Sequence, residues 1–178
     1  YADRPTDTYG PAPSGCFPNG AVPSGCASVP HSVTRYDENL RGLVAQYYPN
    51  KTLAGAPVLH DTGDGDNMGT GTTADGDLLR HWDVNAPGSG VPADGWSARF
   101  TGRIAMPAAG TYTFQIYSDD GVRMWIDDRA VIGDAGWTLG PGWRNGSYVN
   151  TDTGVPHRIR VEYFDETGPA QIDAYWTP

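Results

Sequence analysis

The sequence predicts an all-β protein, an antiparallel β-sandwich of jelly-roll-like type with long loops and an N-terminal coil. Three observations carry that expectation. Segments of six to eight residues alternate apolar with polar side chains, and period two marks a strand half buried against a core. Gly (24) and Pro (15) are plentiful, which suits many short elements joined by turns. No convincing amphipathic helix and no internal repeat is present.

The elements follow in chain order. Residues 1–38 are rich in Pro, Gly and Ser and are expected to form a linker or strap lying over a domain of residues 39–178. Cys16 and Cys26 frame "CFPNGAVPSGC", which reads as a disulfide in an exported protein. The other reading is two free thiols; no nearby His or Cys completes a metal site. A disulfide over so short a loop restricts the unfolded chain by about 2–3 kcal/mol, which pins a coil and suggests no chemistry. "GLVAQYY" (42–48) is the first strand candidate and stops at Pro49. Residues 49–95 read as long, Gly/Asp-rich and irregular, with Trp82 and Trp96 as anchors. "ARFTGRI" (98–104) is a strand ended by Met106-Pro107. "TYTFQIY" (111–117) sets Tyr112, Phe114 and Ile116 against Thr113 and Gln115. "VRMWID" (122–127) sets Val122, Met124 and Ile126 against Arg123, Trp125 and Asp127. "HRIRVEYF" (157–164) puts Ile159, Val161 and Tyr163 inward and Arg158, Arg160 and Glu162 outward. "QIDAYW" (171–176) repeats the scheme with Ile172, Ala174 and Trp176.

Composition narrows the function classes. A chain of 178 residues can build one domain with a sizeable core. Its net charge of −9 repels nucleic acid and acidic membrane faces, and favours cations or neutral ligands held through cations. No run approaches the roughly 20 apolar residues of a membrane span, and no signal peptide is visible. Beginning at Tyr1, the sequence is expected to be a mature or excised piece of a larger multidomain chain.

The stretch that carries chemistry is "QIYSDDGVRMWIDD" (115–128). The plain reading of Asp119-Asp120-Gly121 is a hairpin turn, since Gly accepts positive φ and Asp tolerates it. The sharper reading starts from repulsion between adjacent carboxylates, which something must neutralise. If both pointed the same way they would form an oxygen-only site suited to Ca²⁺. Regular strand geometry sends successive side chains to opposite faces, so convergence needs an unusual backbone, such as a cis peptide. "WTLGPGWRNG" (137–146) places Trp137 and Trp143 in a glycine-rich loop, either flanking a sugar or capping the sandwich edge. "DTGDGDN" (61–67) fails the spacing of an EF-hand and reads as a solvated acidic loop. Asp127-Asp128 reads as a hairpin turn. His31, His60, His81 and His157 are scattered, against a zinc site. No nucleophile elbow, P-loop or Cys/His pair suggests an enzyme.

In order, "GLVAQYY", "WSARFTGRI", "GTYTFQIYSDDGVRMWIDD" and "HRIRVEYFDETGPAQIDAYW" resemble the PA-fourteen domain. This is the β-sandwich module named after anthrax protective antigen and found in adhesins, glycosidases and toxins. The likeness covers about residues 40–178. It implies that Asp119 and Asp120, matching the lectin-like members' cis aspartate pair, chelate calcium, and that vicinal sugar hydroxyls complete the shell. It implies a further side-chain ligand at Asp165, where flocculin-type adhesins carry asparagine, and carbonyl ligands at Thr167 and Pro169. The implied protein is a secreted or cell-surface, calcium-dependent, carbohydrate-binding module without catalysis. The alternative is a structural or protein-interaction module of a large surface or toxin protein.

Overall fold

The structure, a computed structural model, describes residues 7–11, 16, 29–33, 43–61 and 78–178. The chain divides into two compact units, 1–38 and 39–178. In the first, β1 (Asp7–Tyr9) and β2 (His31–Val33) pair antiparallel, so the expected coil carries a short ladder. Cys16 is buried; its expected partner Cys26 lies outside the described residues, as does the acidic loop at 62–67.

The second unit is the sandwich. Its strands are β3 (Val44–Tyr48), β4 (Leu59–Asp61), β5 (Leu78–Asp83), β6 (Trp96–Ala105), β7 (Gly110–Asp119), β8 (Gly121–Ile126), β9 (Arg129–Ile132), β10 (Gly142–Asn150), β11 (Pro156–Asp165) and β12 (Ala170–Thr177). One sheet has the order β10-β7-β12-β5 and the other β4-β3-β6-β11-β8-β9, all antiparallel. The core is built from the side chains that the alternation turned inward. Tyr112, Phe114, Ile116, Ile172, Ala174 and Trp176 come from the first sheet, and Phe100, Val122, Met124, Ile126, Ile159, Val161 and Tyr163 from the second. Each fully buried large side chain contributes about 1.5–3 kcal/mol of transfer free energy.

Three segments depart from the expectation. The stretch 49–95 contains β4 and β5; Leu78 is fully buried and Trp82 packs edge-on against Trp96 at 4.8 Å. The loop expected at 137–146 is half strand, because β10 starts at Gly142. Gly146 signals close approach rather than a turn, since a Cβ there would lie 2.0 Å from the Val131 carbonyl oxygen. Glu162, expected outward in solvent, is only 2% exposed. The guanidinium groups of Arg99, Arg123 and Arg160 close over it at 2.9–3.0 Å, and a carboxylate can be buried only when so paired.

Candidate cation and ligand site

The site begins with how the chain changes sheets. β7 lies in the four-stranded sheet and β8 in the six-stranded one, so the chain crosses between layers at Asp120. Ser118-Asp119-Asp120-Gly121 is therefore a sheet crossover, not the hairpin that Asp-Gly suggests. Gly121 is required for space rather than for positive φ: a Cβ would sit 2.2 Å from the Phe164 ring and 2.9 Å from the Thr138 amide. The β11–β12 connection changes sheets at the same end, through residues 166–169. The β5–β6 connection arrives there too, since Trp96 pairs with Asp165.

The Asp119–Asp120 peptide is cis. Ser118 Oγ donates to the Asp120 carbonyl at 2.6 Å, and the Tyr163 hydroxyl donates to the Asp119 carbonyl. Asp120 is buried, with Oδ1 accepting from the Gly140 amide at 2.5 Å and Oδ2 from the Glu166 amide at 2.7 Å. One carboxylate thus ties the 137–141 loop to the β11–β12 turn. Asp165 is wholly buried, yet neither carboxylate oxygen has a hydrogen-bond partner. Asp94 faces the same turn and accepts from the Gly168 amide at 2.9 Å.

The electrostatics are those of crowded carboxylates. Burial, then Asp120 and Asp94, push the Asp165 carboxyl up to about 7; the Gly95 amide pulls it down without reaching hydrogen-bond geometry, and Asp119 adds to the rise. Burial and Asp120 also raise Asp119, partly offset by Arg144. The Tyr163 hydroxyl is raised by burial and by Asp165, Asp120 and Asp119. The chain's single lysine, Lys51, is already paired with Glu166.

These donors are all oxygens, the set a hard cation takes. Among the described residues no group of three or more His, Cys, Asp or Glu side chains is set as a metal site. A cation here must draw its remaining oxygens from backbone carbonyls, water or a ligand. The observation that fits one is Asp165: an ionised, buried, unpaired carboxylate is costly until a positive charge meets it.

Of the residues predicted for the site, Asp119, Asp120 and Asp165 are brought into mutual electrostatic contact. Thr167 and Pro169 are exposed in the turn that follows. Trp137 and Trp143 part company. Trp137 packs against Phe164 at 4.7 Å beneath Arg123, at 4.2 Å. Trp143 stands on β10, paired with Tyr117. Asp94 was missed; its one signal is the Asp94-Gly95 turn, where Gly95 has φ +74°.

A family model described as PA14 domain matches residues 40–178. The anti-sigma-I factor RsgI3 of Acetivibrio thermocellus is 27% identical over 96 residues, 54% of this chain and 15% of that protein. The solved structure of an anti-sigma factor domain-containing protein from Clostridium clariflavum superposes with a TM-score of 0.63 at 29% identity, covering 76% of this chain and 41% of that one. The PA14 domain of the MpAFP antifreeze protein shares the fold, with a TM-score of 0.56 at 17% identity over 82% of this chain and 86% of that one. The chain therefore spans less than half the length of the two anti-sigma relatives.

Proposed function

The chain belongs to the PA14 domain family, and from that premise we propose that residues 39–178 are a calcium-dependent carbohydrate-binding module, lectin-like and non-catalytic, within a larger secreted or cell-surface protein. The observation that carries this reading is the unpartnered, buried Asp165 carboxylate beside Asp119 and Asp120 at the sheet crossover. Asp119, Asp120 and Asp165 would hold the ion with their side chains, and Thr167 and Pro169 with their carbonyls. The bound cation supplies a Lewis-acidic point at which the vicinal hydroxyls of a sugar can bind. The protein's part is to fix the loops: Asp120 does so by accepting the Gly140 and Glu166 amides.

Metal-bridged sugar sites are shallow, so strength comes from several modules acting together. Extracellular calcium modules bind at about 10⁻⁴–10⁻³ M. At ten times its Kd, calcium would stabilise the fold by about 1.4 kcal/mol. A calorimetric titration of Ca²⁺ into chelator-stripped protein should show about one ion per chain, followed by calcium-dependent retention on a glycan array. Absence of any heat at millimolar calcium would leave the rival reading, a structural or protein-interaction module. That rival draws support from two relatives being described as anti-sigma proteins rather than adhesins.

A further inference from the structure

Trp143 is 57% exposed, and it is the one aromatic among the large exposed hydrophobic side chains of the described residues. A single exposed apolar residue asks for no explanation. This one is braced. Its indole meets the Tyr117 ring at 5.4 Å, nearly edge-on at 68°, and the Tyr175 ring at 6.2 Å and 40°. The three residues come from adjacent strands β10, β7 and β12 and share the outward face of the four-stranded sheet.

The cross-strand register sets what surrounds the ring. Trp143 lies opposite Tyr117, which lies opposite Asp173; in the next row Asn145 lies opposite Gln115, which lies opposite Tyr175. Asn145 and Gln115 are exposed, and their side-chain amides make no hydrogen bond among the described residues. Asp173 is capped by His81 at 2.6 Å. Neither row contains a lysine or arginine.

We infer that this face is a second glycan subsite, independent of calcium, for a neutral polysaccharide chain. The electron-rich face of a fixed indole matches the weakly positive C–H face of a pyranose. Free amides one row away can bond its hydroxyls. Bracing by two tyrosines lowers the ordering cost on binding. The charge of the face and the chain's net −9 disfavour acidic glycans and a second copy of the chain. Asp119 lies two residues beyond Tyr117 on β7, so its Cα is about 8 Å from that of Trp143, by strand spacing and rise. The subsite is thus adjacent to the carboxylate cluster without using it.

The test is native affinity electrophoresis of the full chain in gels containing a mixed-linkage β-glucan, a xyloglucan or a galactomannan, run in chelator and again in calcium. At least one polysaccharide should retard the protein in chelator. Trp143→Ala should weaken that retardation about tenfold or more, with Trp143→Tyr keeping part of it. Near-UV circular dichroism checks that both variants fold. Retardation in chelator separates the two readings: it carries this inference whether or not calcium adds binding, so failure of the calcium reading leaves this one standing. No retardation by any polysaccharide in chelator overturns the inference, as does undiminished retardation of Trp143→Ala. A Trp143-dependent dimer in sedimentation, or Trp143-dependent binding of a proline-rich peptide with no polysaccharide binding, would also overturn it.

Discussion

At one end of β8 the chain turns through Asp127-Asp128; at the other it enters through Asp119-Asp120. The first pair makes the β8–β9 hairpin, with φ of 47° and 63°. Its charges are met from within. Asp127 Oδ1 accepts from the Arg158 amide at 2.9 Å, its Oδ2 faces His157 Nδ1 at 2.6 Å, and Asp128 pairs with Arg158 at 2.9 Å. Burial pushes the Asp127 carboxyl up, but the His157 and Arg158 hydrogen bonds and charges outweigh it and hold it below its ordinary value. At the other end Asp119 and Asp165 are both raised, by burial and by neighbouring carboxylates. The same dipeptide sits in two electrostatic settings. The Asp127-Asp128 pair is met by the protein's own cations, whereas at the crossover Arg144 offsets Asp119 only in part and Asp165 has no hydrogen-bond partner, the imbalance on which the proposed cation site rests.

Breaking the comparison at the crossover should give the largest effect. Asp120→Asn removes a charged ligand and is expected to weaken calcium binding about 100-fold or more, read as loss of saturable heat at millimolar calcium. At the opposite end, His157→Ala should cost about 2–4 kcal/mol in urea unfolding while leaving calcium affinity unchanged. The reason is that His157 is buried between Asp127 and Asn150, with Nε2 3.0 Å from Asn150 Oδ1. Asn150 in turn bonds the Ala108 and Asp152 carbonyls, so the loss would reach three loops.

Asp165→Asn sharpens the contrast because its sign depends on the metal. In chelator at pH 8 the substitution removes a buried, unpartnered charge and should stabilise the fold by about 1–3 kcal/mol. In calcium it should destabilise relative to the parent. The sign in pH follows. Asp165 is raised from 3.8 to about 7 in the fold, so it is protonated in both states below the ordinary carboxylate range and costs nothing there. As pH rises from about 4 through 7 the unfolded carboxylate ionises first, and metal-free protein should lose stability. Asp127 runs the other way: its depressed value contributes stability above the ordinary range, lost as pH falls through the folded value. Thermal melts across pH 3–9 should show the upper loss shrink in calcium or in Asp165→Asn, with the raised Asp119 leaving a smaller remainder in the variant, and the lower loss persist.

The core was legible because alternation is local: Tyr112, Phe114, Ile116, Met124 and Ile159 could be turned inward from spacing alone. Glu162 broke that rule because its burial depends on arginines from β6 and β8, which no local pattern records. β10 was half hidden because its Gly146 serves a close approach by β9, visible only once the strands are placed. Asp119 and Asp120 stood out as adjacent carboxylates, and the family likeness singled them out as candidate ligands together with Asp165. Asp94 was not, since its relevance comes from a third connection reaching the same end of the sandwich, 71 residues before Asp165. Even the hairpin signal of Asp-Gly misled at one end of β8, where Gly121 makes room for Phe164.

The smallest expected effect is the control that makes the largest one interpretable. Asp128→Asn keeps a residue that tolerates φ of 63° and gives up an ion pair with Arg158 whose side chains are half exposed. Such pairs contribute about 0–1 kcal/mol, so the variant should unfold within about 0.5 kcal/mol of the parent. It also changes net charge from −9 by the same single unit as Asp120→Asn. Long-range attraction of calcium to an acidic protein would therefore weaken equally in both variants, and would fade as salt is raised. Ligation at the crossover would not: Asp128→Asn should titrate like the parent while Asp120→Asn does not. Equal losses would mean that calcium responds to the protein's overall charge, and that the carboxylates at the crossover are not its ligands.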